Sequence, residues 1–227
     1  MDALYITLIL LASLIIGYLF GSISSGILLG KILFKKDPRD YGSHNSGGTN
    51  VGRTFGKKIG LICIILDILK TIIPIWIVYF TLSYTGLAKF NITEYAYLLT
   101  CISCLLGHCF PVWYNFKGGK AVSSFAGVLI ATSWFLTIVG LIIFIIVLLA
   151  SKKVSLSSII TSFTSALLSL LLIVLPPYFM NFSLASGVLY TLTLIISSLF
   201  LIYRHKENIV RLLKHEEREV SFLSKKK

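Results

Sequence analysis

Residues 121–150 have the sequence AVSSFAGVLIATSWFLTIVGLIIFIIVLLA, in which no side chain carries a charge. One helix of this length would extend about 45 Å, whereas the hydrocarbon core of a bilayer is about 30 Å thick. Two lysines flank the stretch on each side, namely Lys117 and Lys120, and Lys152 and Lys153. Because basic residues collect on the cytoplasmic side of a membrane, the sequence predicts two shorter helices that turn near Thr132–Ser133 and return both lysine pairs to one face.

The composition of the whole chain is typical of a polytopic membrane protein. Its 227 residues are 56% hydrophobic and only 13% charged, whereas about a quarter of the residues in soluble domains are charged. The mean hydropathy is +0.89. These values exclude a soluble enzyme, a nucleic-acid-binding domain and a disordered chain. The net charge of +12 follows from lysine and arginine in cytoplasmic loops, so no nucleic-acid partner is expected.

Five further apolar segments are long enough to cross a bilayer as helices. They cover residues 3–34, 59–80, 94–113, 156–176 and 184–203. With the hairpin, they predict an all-α protein of seven helical segments in a single domain, residues 1–227, with a charged tail at 204–227. Nineteen of the 21 lysines and arginines then lie in cytoplasmic segments, if the N-terminus is outside and the C-terminus inside. The first basic residue is Lys31, so the N-terminal segment is expected to remain as a helix and not to be a secretory signal.

Asp67 and Lys70 are charged residues inside the apolar segment 59–80, and their spacing places both side chains on one face of a helix. Two interpretations stay open: a structural pair that orients this helix against its neighbours, or part of a reaction site. The four cysteines lie in or beside apolar segments without the paired motifs of a zinc site. We expect them to pack as small apolar residues.

A polar, glycine-rich loop follows the first apolar segment, and its composition favours anion binding. Its residues 42–53 have the sequence GSHNSGGTNVGR. Glycines let backbone amides converge on an anion, hydroxyl and amide side chains donate hydrogen bonds, and a planar guanidinium suits phosphate. The candidate ligands in this loop are Ser43, Asn45, Thr49, Asn50 and Arg53.

A second polar region, residues 107–120, has the sequence GHCFPVWYNFKGGK and ends where an apolar helix is predicted to begin. Helix N-terminal amides, two glycines and two lysines suit a multiply charged anion. The alternative is an ordinary cytoplasmic loop beside a belt of interfacial aromatic residues. The candidate residues here are His108, Lys117, Gly118, Gly119 and Lys120.

A third polar region combines residues 152–158 with the start of the tail. If the tail is helical, it places His205, Asn208 and Arg211 roughly on one side. Ser155 is a candidate hydrogen-bond donor to a substrate, with the alternative that it caps the N-terminus of the following helix.

Together these regions resemble the bacterial membrane acyl-phosphate:glycerol-3-phosphate acyltransferases over nearly the whole chain. The matching residues are Gly21-Ser22-Ile23 with Gly26, the 42–53 loop with Thr49-Asn50-Val51, Leu66-Asp67 with Lys70, Gly107-His108 with Phe110-Pro111, residues 116–120, Val154-Ser155-Leu156, and His205 with Asn208-Ile209 and Arg211. Several motifs in the same order are far more specific than any one of them.

This resemblance implies a seven-helix enzyme of the bacterial inner membrane with its active site on the cytoplasmic face. The implied reaction transfers the acyl group of a fatty acyl phosphate to the primary hydroxyl of sn-glycerol 3-phosphate. The products are 1-acylglycerol 3-phosphate (lysophosphatidate) and phosphate, in phospholipid biosynthesis. The resemblance implies no metal, no organic cofactor and no covalent enzyme intermediate. The implied partners are the two substrates, membrane lipid and an enzyme that supplies the acyl phosphate.

Carried over by position, the resemblance implies catalytic roles for Lys117, Ser155 and His205. Substrate-binding or phosphate-binding roles fall to Ser43, Asn45, Thr49, Asn50, Arg53, His108, Gly118, Gly119, Lys120 and Asn208. Cationic side chains would offset the charge of two phosphates, with hydroxyls and the Gly118–Gly119 amides as neutral donors. Either His108 or His205 could take the hydroxyl proton. A substrate phosphate is slightly favoured as the base, because no carboxylate is evidently placed to orient either imidazole.

The chain departs from the usual pattern of this family at positions beside the candidate ligands. The family usually has proline at Ser24 and Ser46, alanine at Gly48, a larger apolar residue at Gly52, glycine at Ala121 and His215, and an Ala-Thr pair near Ser123-Ser124. These departures indicate a divergent member, and they bear on acyl-chain preference and turnover more than on reaction class.

A transporter of a phosphorylated metabolite is the alternative from a different functional class. Against it, the sequence has no visible internal repeat, and its polar motifs cluster on one predicted face. Charges at mid-membrane depth are confined to Asp67 and Lys70. Formation of lysophosphatidate from the two substrates would discriminate an enzyme from a transporter.

Overall fold

The regular secondary structure is entirely helical in the residues that the computed structural model describes, which are 2–90, 92–174, 179–181 and 187–220. The α-helices are α1 (Asp2–Gly21), α2 (Ser25–Phe34), α3 (Gly48–Phe55), α4 (Lys57–Tyr84), α5 (Thr93–Cys109), α6 (Val122–Thr132), α7 (Trp134–Ser151), α8 (Val154–Leu168), α9 (Gly187–Arg204) and α10 (Lys206–Leu213). Short 3-10 helices cover Pro38–Asp40, Gly86–Phe90, Val112–Tyr114 and Ser169–Ile173. The predicted all-α fold class is confirmed.

Six helical segments of the described residues are long and apolar enough to cross a membrane. They are Asp2–Phe34, Lys57–Tyr84, Thr93–Tyr114, Trp134–Ser151, Val154–Ile173 and Gly187–Arg204, and α6 is a shorter apolar helix. The helix break predicted inside residues 121–150 is present at Ser133, whose side chain accepts a hydrogen bond from the backbone N–H of Leu136 at 3.2 Å. The number of crossings and their orientation stay predictions.

The first apolar segment differs from its prediction as one helix over residues 3–34, because the chain leaves helical geometry between α1 and α2. Ser24 precedes α2 with an extended backbone, at φ −86° and ψ 92°. Gly26, in the first turn of α2, lies so close to the carbonyl of Ser46 that any side chain there would clash with it. The break therefore brings α2 against the glycine-rich loop.

The described helices belong to two compact units, Met1–Ala131 and Thr132–Lys227. In the first unit, α1 packs along α5 and α4 packs against both α3 and α5. Gly21 of α1 contacts the backbone of Cys104, and Gly107 of α5 contacts the carbonyl of Tyr18, so a Cβ atom at either glycine would clash. Small residues are the usual means by which membrane helices bring their backbones together.

In the second unit, α7 packs against α8, and α8 packs against α9. Two buried hydroxyl contacts hold α9 in place: Thr132 Oγ1, at the end of α6, lies 2.9 Å from the hydroxyl of Tyr190, and Thr191 Oγ1 donates to the carbonyl of Ser169, in the 3-10 helix after α8, at 2.8 Å. Hydrogen bonds of this kind stabilise helix pairs where lipid gives little hydrophobic driving force.

The glycines that the resemblance leads us to expect at Ala121 and His215 have a backbone explanation, since both residues have left-handed φ angles, of 64° and 57°. Glycine adopts this region without strain. At His215 the geometry is that of a Schellman motif at the end of α10: the N–H of Glu216 donates to the carbonyl of Arg211 at 2.8 Å, and the N–H of His215 donates to that of Leu212 at 3.1 Å.

Replacing His215 by glycine should stabilise the C-terminal turn of α10. Relief of left-handed strain at an exposed residue outweighs the extra unfolded-chain entropy of glycine by about 0.5–1 kcal/mol. Hydrogen exchange of the Glu216 amide should therefore slow about two- to fivefold. Lys214→Gly is the matched control, because φ at Lys214 is −85° and no strain is relieved. Equal or faster exchange in the His215 variant would contradict this account.

Candidate active site

Asn50 is a structural brace of the glycine-rich loop and not an exposed ligand. Its side-chain amide nitrogen donates to the carbonyls of Pro38, Tyr41 and Asn45, at 2.8, 3.1 and 2.8 Å, and its side-chain oxygen accepts from the backbone N–H of Ser43 at 2.8 Å. The residue is only 2% exposed. Because both ends of this amide are used inside the protein, Asn50 fixes the path of the loop.

Asn45 connects the two predicted anion-binding regions of the first unit. Its side-chain oxygen accepts from the N–H of Gly47 at 2.8 Å, just before α3, and its amide nitrogen lies 3.5 Å from the carbonyl of Gly118. Gly48 and Gly52 let α3 lie directly on Gly60 of α4. The structure therefore brings residues 45–53 and the glycines of the second polar region into one neighbourhood.

The glycine pair of the second region has a different role from the one predicted. The N–H of Gly118 donates to the carbonyl of Cys109 at 3.1 Å, and the N–H of Gly119 donates to that of His108 at 3.0 Å. Neither amide is therefore free for a phosphate in this structure. Gly119 instead allows the imidazole of His108 to pack directly on its Cα, where a side chain would clash.

Arg39 is a residue of this region that the sequence analysis did not single out. Its Nη1 atom donates to the carbonyls of Tyr114 and Lys117, at 2.9 and 3.0 Å, and its Nε and Nη2 atoms bind the carboxylate of Asp37, with Nη2 at 2.8 Å. One guanidinium thus fixes the backbone that carries Lys117. The sequence feature that could have indicated this role is Asp37-Pro38-Arg39, an acidic and a basic residue just before the glycine-rich loop.

The Asp37–Arg39 pair is ionised in this setting. Partial burial acts to raise the pKa of Asp37, but the hydrogen bonds and positive charge of Arg39 outweigh that effect and hold the pKa below its usual value. The same hydrogen bonding raises the pKa of Arg39. A guanidinium that holds two carbonyls therefore keeps its charge across the physiological pH range.

A buried polar cluster links four helices of the first unit around Asp67. Its carboxylate lies 2.9 Å from Lys70 Nζ and accepts a hydrogen bond from Ser25 of α2 at 2.8 Å. Ser123 of α6 donates to it at 3.4 Å, and the Nδ1 atom of His108 lies 3.9 Å away. Lys70 also donates to the carbonyl of Ile23, at the break between α1 and α2. The structural interpretation of Asp67 and Lys70 is thereby supported, and the cluster extends to one predicted site residue, His108.

The predicted anion ligands of the first unit are at or near its surface. Among the cations, Lys117 and Arg53 are exposed and Lys120 is half-buried. Among the hydroxyl donors, Thr49 is exposed and Ser43 is half-buried. Their accessibility is what binding of a soluble anion requires. In the ranges that the structure describes, no three His, Cys, Asp or Glu side chains form a group that could hold a metal ion.

In the second unit, Ser155 and Asn208 meet at a carboxylate that the sequence analysis did not identify. Glu217 accepts hydrogen bonds from Ser155 Oγ at 2.8 Å and from Asn208 Nδ2 at 2.7 Å on one oxygen, and from Arg211 Nε at 2.7 Å on the other. Partial burial acts to raise the pKa of Glu217, but these three donors outweigh it and hold the pKa below its usual value. Nothing in the local sequence signals this contact, because Ser155 and Glu217 are 62 residues apart.

Two further features of the second unit concern the N-cap of α8 and the orientation of His205. The N-cap of α8 is Lys153 and not Ser155, so the alternative capping role of Ser155 is wrong. His205 is 3% exposed, and its Nδ1 lies 2.8 Å from the carbonyl of Leu201. Since a carbonyl only accepts, Nδ1 carries a proton, and in a neutral imidazole Nε2 is the basic nitrogen.

Comparisons with known proteins identify the relatives of this chain. The model of a family described as "Glycerol-3-phosphate acyltransferase" matches residues 11–215. The chain belongs to this family. Glycerol-3-phosphate acyltransferases from Listeria monocytogenes serotype 4a and Staphylococcus haemolyticus are both 37% identical to it, over 96% and 95% of this chain and 99% and 100% of the relatives.

Solved structures of the glycerol-3-phosphate acyltransferase family agree with this assignment. The crystal structure of PlsY (YgiH), an integral membrane glycerol 3-phosphate acyltransferase in its glycerol 3-phosphate form, has a TM-score of 0.79 and 32% identity, and the match covers 94% of this chain and 96% of PlsY. The lysophosphatidic acid form of PlsY has a TM-score of 0.77. The chain is therefore an integral membrane protein of this family.

Proposed function

We propose that this chain transfers a fatty acyl group from an acyl phosphate to the primary hydroxyl of sn-glycerol 3-phosphate, with lysophosphatidate and phosphate as products. The observation that carries the proposal is its similarity to PlsY over nearly the full length of both chains, because PlsY is an acyltransferase with a glycerol 3-phosphate form and a lysophosphatidic acid form. Residues 1–227 act in this proposal as one acyltransferase domain that includes the 204–227 tail.

The chemistry needs little from the protein beyond charge and orientation. An acyl phosphate is a mixed anhydride whose phosphate is a good leaving group, so no enzyme nucleophile and no cofactor is required. Two phosphate-bearing substrates bring about four negative charges to one place, since the second phosphate pKa is near 6. Fixed cations that offset this repulsion, together with correct orientation of the reactants, supply most of the acceleration.

The cations in this proposal come from the glycine-rich loop and the second polar region. Lys117, Arg53 and Lys120 bind the phosphates, with Ser43 and Thr49 as hydroxyl donors. Lys117 is assigned the catalytic role because its position matches that of the family motif, and Arg39 binds its backbone carbonyl at 3.0 Å. His108, Asn45, Asn50, Gly118 and Gly119 support the site by the hydrogen bonds and close contacts that hold both polar regions.

We assign Ser155, His205 and Asn208 to the acceptor substrate. The orientation of His205 leaves its Nε2 atom as a basic nitrogen, because Nδ1 faces the carbonyl of Leu201. The hydroxyl proton then has two acceptors of suitable chemistry, this nitrogen and a substrate phosphate. We favour the phosphate, since the carbonyl bonded to His205 cannot stabilise an imidazolium as a carboxylate would.

The proposal places the reaction at the cytoplasmic face of a bacterial inner membrane. Three observations support this: glycerol 3-phosphate is a water-soluble anion, nearly all lysines and arginines lie in predicted cytoplasmic segments, and the relatives are bacterial proteins. The acyl phosphate reaches this protein either by diffusion within the lipid bilayer or directly from the separate enzyme that synthesises it.

Purified chain supplied with palmitoyl phosphate and glycerol 3-phosphate should form lysophosphatidate and release phosphate in equal amounts. Palmitoyl-CoA replaces the acyl phosphate in the control reaction, and no product is expected from it. Absence of lysophosphatidate, combined with uptake of labelled glycerol 3-phosphate into vesicles that contain the protein, would replace catalysis with transport.

A further inference from the structure

Glu217 lies just beyond residue 215, where the family-model match ends, yet its side chain contacts three residues of the third polar region. Only 8% of this side chain is exposed. The Schellman motif at His215 reverses the chain after α10, and the N–H of Val220 donates to the carbonyl of Lys152 at 2.9 Å. The tail segment 216–220 is thus held at both ends, and Glu217 is placed between them.

The contact with Glu217 determines what the hydroxyl of Ser155 can do. An ionised carboxylate only accepts hydrogen bonds, so the single proton of this hydroxyl is donated to Glu217. Toward a substrate, Ser155 Oγ can then act only through its lone pairs, as a hydrogen-bond acceptor. A phosphate dianion has no proton to donate to them, whereas the hydroxyl of glycerol 3-phosphate has one.

We propose that Glu217 is a positioning residue that fixes Ser155 as the hydrogen-bond acceptor for the attacking hydroxyl of the acceptor substrate. This inference rests on the proposed function and assigns Ser155 to the hydroxyl of glycerol 3-phosphate and not to its phosphate. Asn208 and Arg211 hold the other lone pairs of Glu217 and keep its carboxylate from rotating away.

The reaction then balances without any change in the protonation of Glu217. The acceptor oxygen forms a bond to the acyl carbon, and the bond between that carbon and the phosphate oxygen breaks with its electron pair. Ser155 Oγ accepts the hydrogen bond of the attacking hydroxyl until the new bond has formed. That bond makes the proton acidic, and the proton then passes to the released phosphate. Ser155 holds the attacking oxygen in line with the acyl carbon, and a misplacement of about 1 Å costs about 100-fold in rate.

The test is a double-mutant cycle on full-length protein with Ser155→Ala, Glu217→Ala and the combined variant. We expect Glu217→Ala to lower kcat about 10- to 100-fold, with KM for glycerol 3-phosphate changed by less than about threefold, because the lost interaction belongs to the transition state. The combined variant should be no slower than Ser155→Ala alone, because Glu217 acts through Ser155. Glu217→Gln should recover part of the rate, since its carbonyl oxygen still accepts the Ser155 proton.

Glu219→Ala is the matched control, because this carboxylate lies on the same tail segment and is exposed; its kcat should equal that of the unmodified protein. Multiplicative losses in the double variant, or unchanged kcat in Glu217→Ala, would overturn the inference. So would a lower KM or a higher rate in Glu217→Ala, since the freed Ser155 proton would then be serving a phosphate. These outcomes require active unmodified protein. If that protein forms no lysophosphatidate, the proposed function fails, and the role assigned to Glu217 fails with it.

Discussion

Replacement of Lys117 by alanine should lower kcat/KM for acyl transfer at least about 100-fold while the protein stays folded. A fixed charge at a developing phosphate or oxyanion contributes about 10²- to 10³-fold to rate. The side chain is exposed, and Arg39 binds the backbone carbonyl of this residue, so alanine keeps the loop intact. Lys117→Arg should recover only part of the rate, because a planar guanidinium does not reproduce the point charge of an ammonium.

The measurement is steady-state kinetics with both substrates, together with thermal unfolding in detergent. Lys58→Ala is the control, because Lys58 is also exposed but lies in the first turn of α4 outside the proposed site. Arg53→Ala should show a loss similar to that of Lys117→Ala. Full activity in both variants would show that the phosphate-binding residues are assigned wrongly.

Replacement of Asp67 by alanine should destabilise the protein by about 3–5 kcal/mol. Breaking a buried ion pair leaves the partner charged and without its counter-ion, and Lys70 is only 6% exposed. The same change removes the acceptor for Ser25 of α2 and the carboxylate beside His108 of α5. We expect unfolding at a lower concentration of denaturing detergent and a loss of activity in parallel.

The double variant Asp67→Ala, Lys70→Met should recover most of this loss, because it removes the unpaired charge and fills its space with an apolar chain. Asp40→Ala, at an exposed carboxylate of the same unit, should have an effect of less than about 0.5 kcal/mol. An unchanged unfolding midpoint in Asp67→Ala would mean that the pair does not organise these helices.

The parts of this fold that sequence could predict are those encoded by local hydropathy and charge. The break at Ser133 follows from the length of one apolar run and the lysines at its ends. The break between α1 and α2 could not be predicted in this way, because serines and glycines such as those of residues 21–26 are also common inside continuous membrane helices. It depends on a tertiary contact, the close approach of Gly26 to the Ser46 carbonyl.

In the candidate site, too, the roles of individual residues depend on tertiary contacts that the sequence does not reveal. Residue types identified the polar regions, but a side chain such as Asn50 could not be assigned as brace or ligand from its type alone. That distinction depends on carbonyls at Pro38 and Tyr41. Arg39 and Glu217 were missed because their partners are distant in sequence, 75 residues to Tyr114 and 62 to Ser155.

The contact between α1 and α5 restricts how a hydrocarbon tail can enter this protein. Gly21 and Gly107 bring the two backbones so close that a methyl group would not fit between them at these points. A fatty chain is wider than a methyl group, so this seam is closed to lateral entry from the bilayer. In the proposed reaction, lateral entry of the acyl donor therefore has to follow a different helix pair, and spin-labelled acyl chains bound in the site should report no proximity to Gly21 or Gly107.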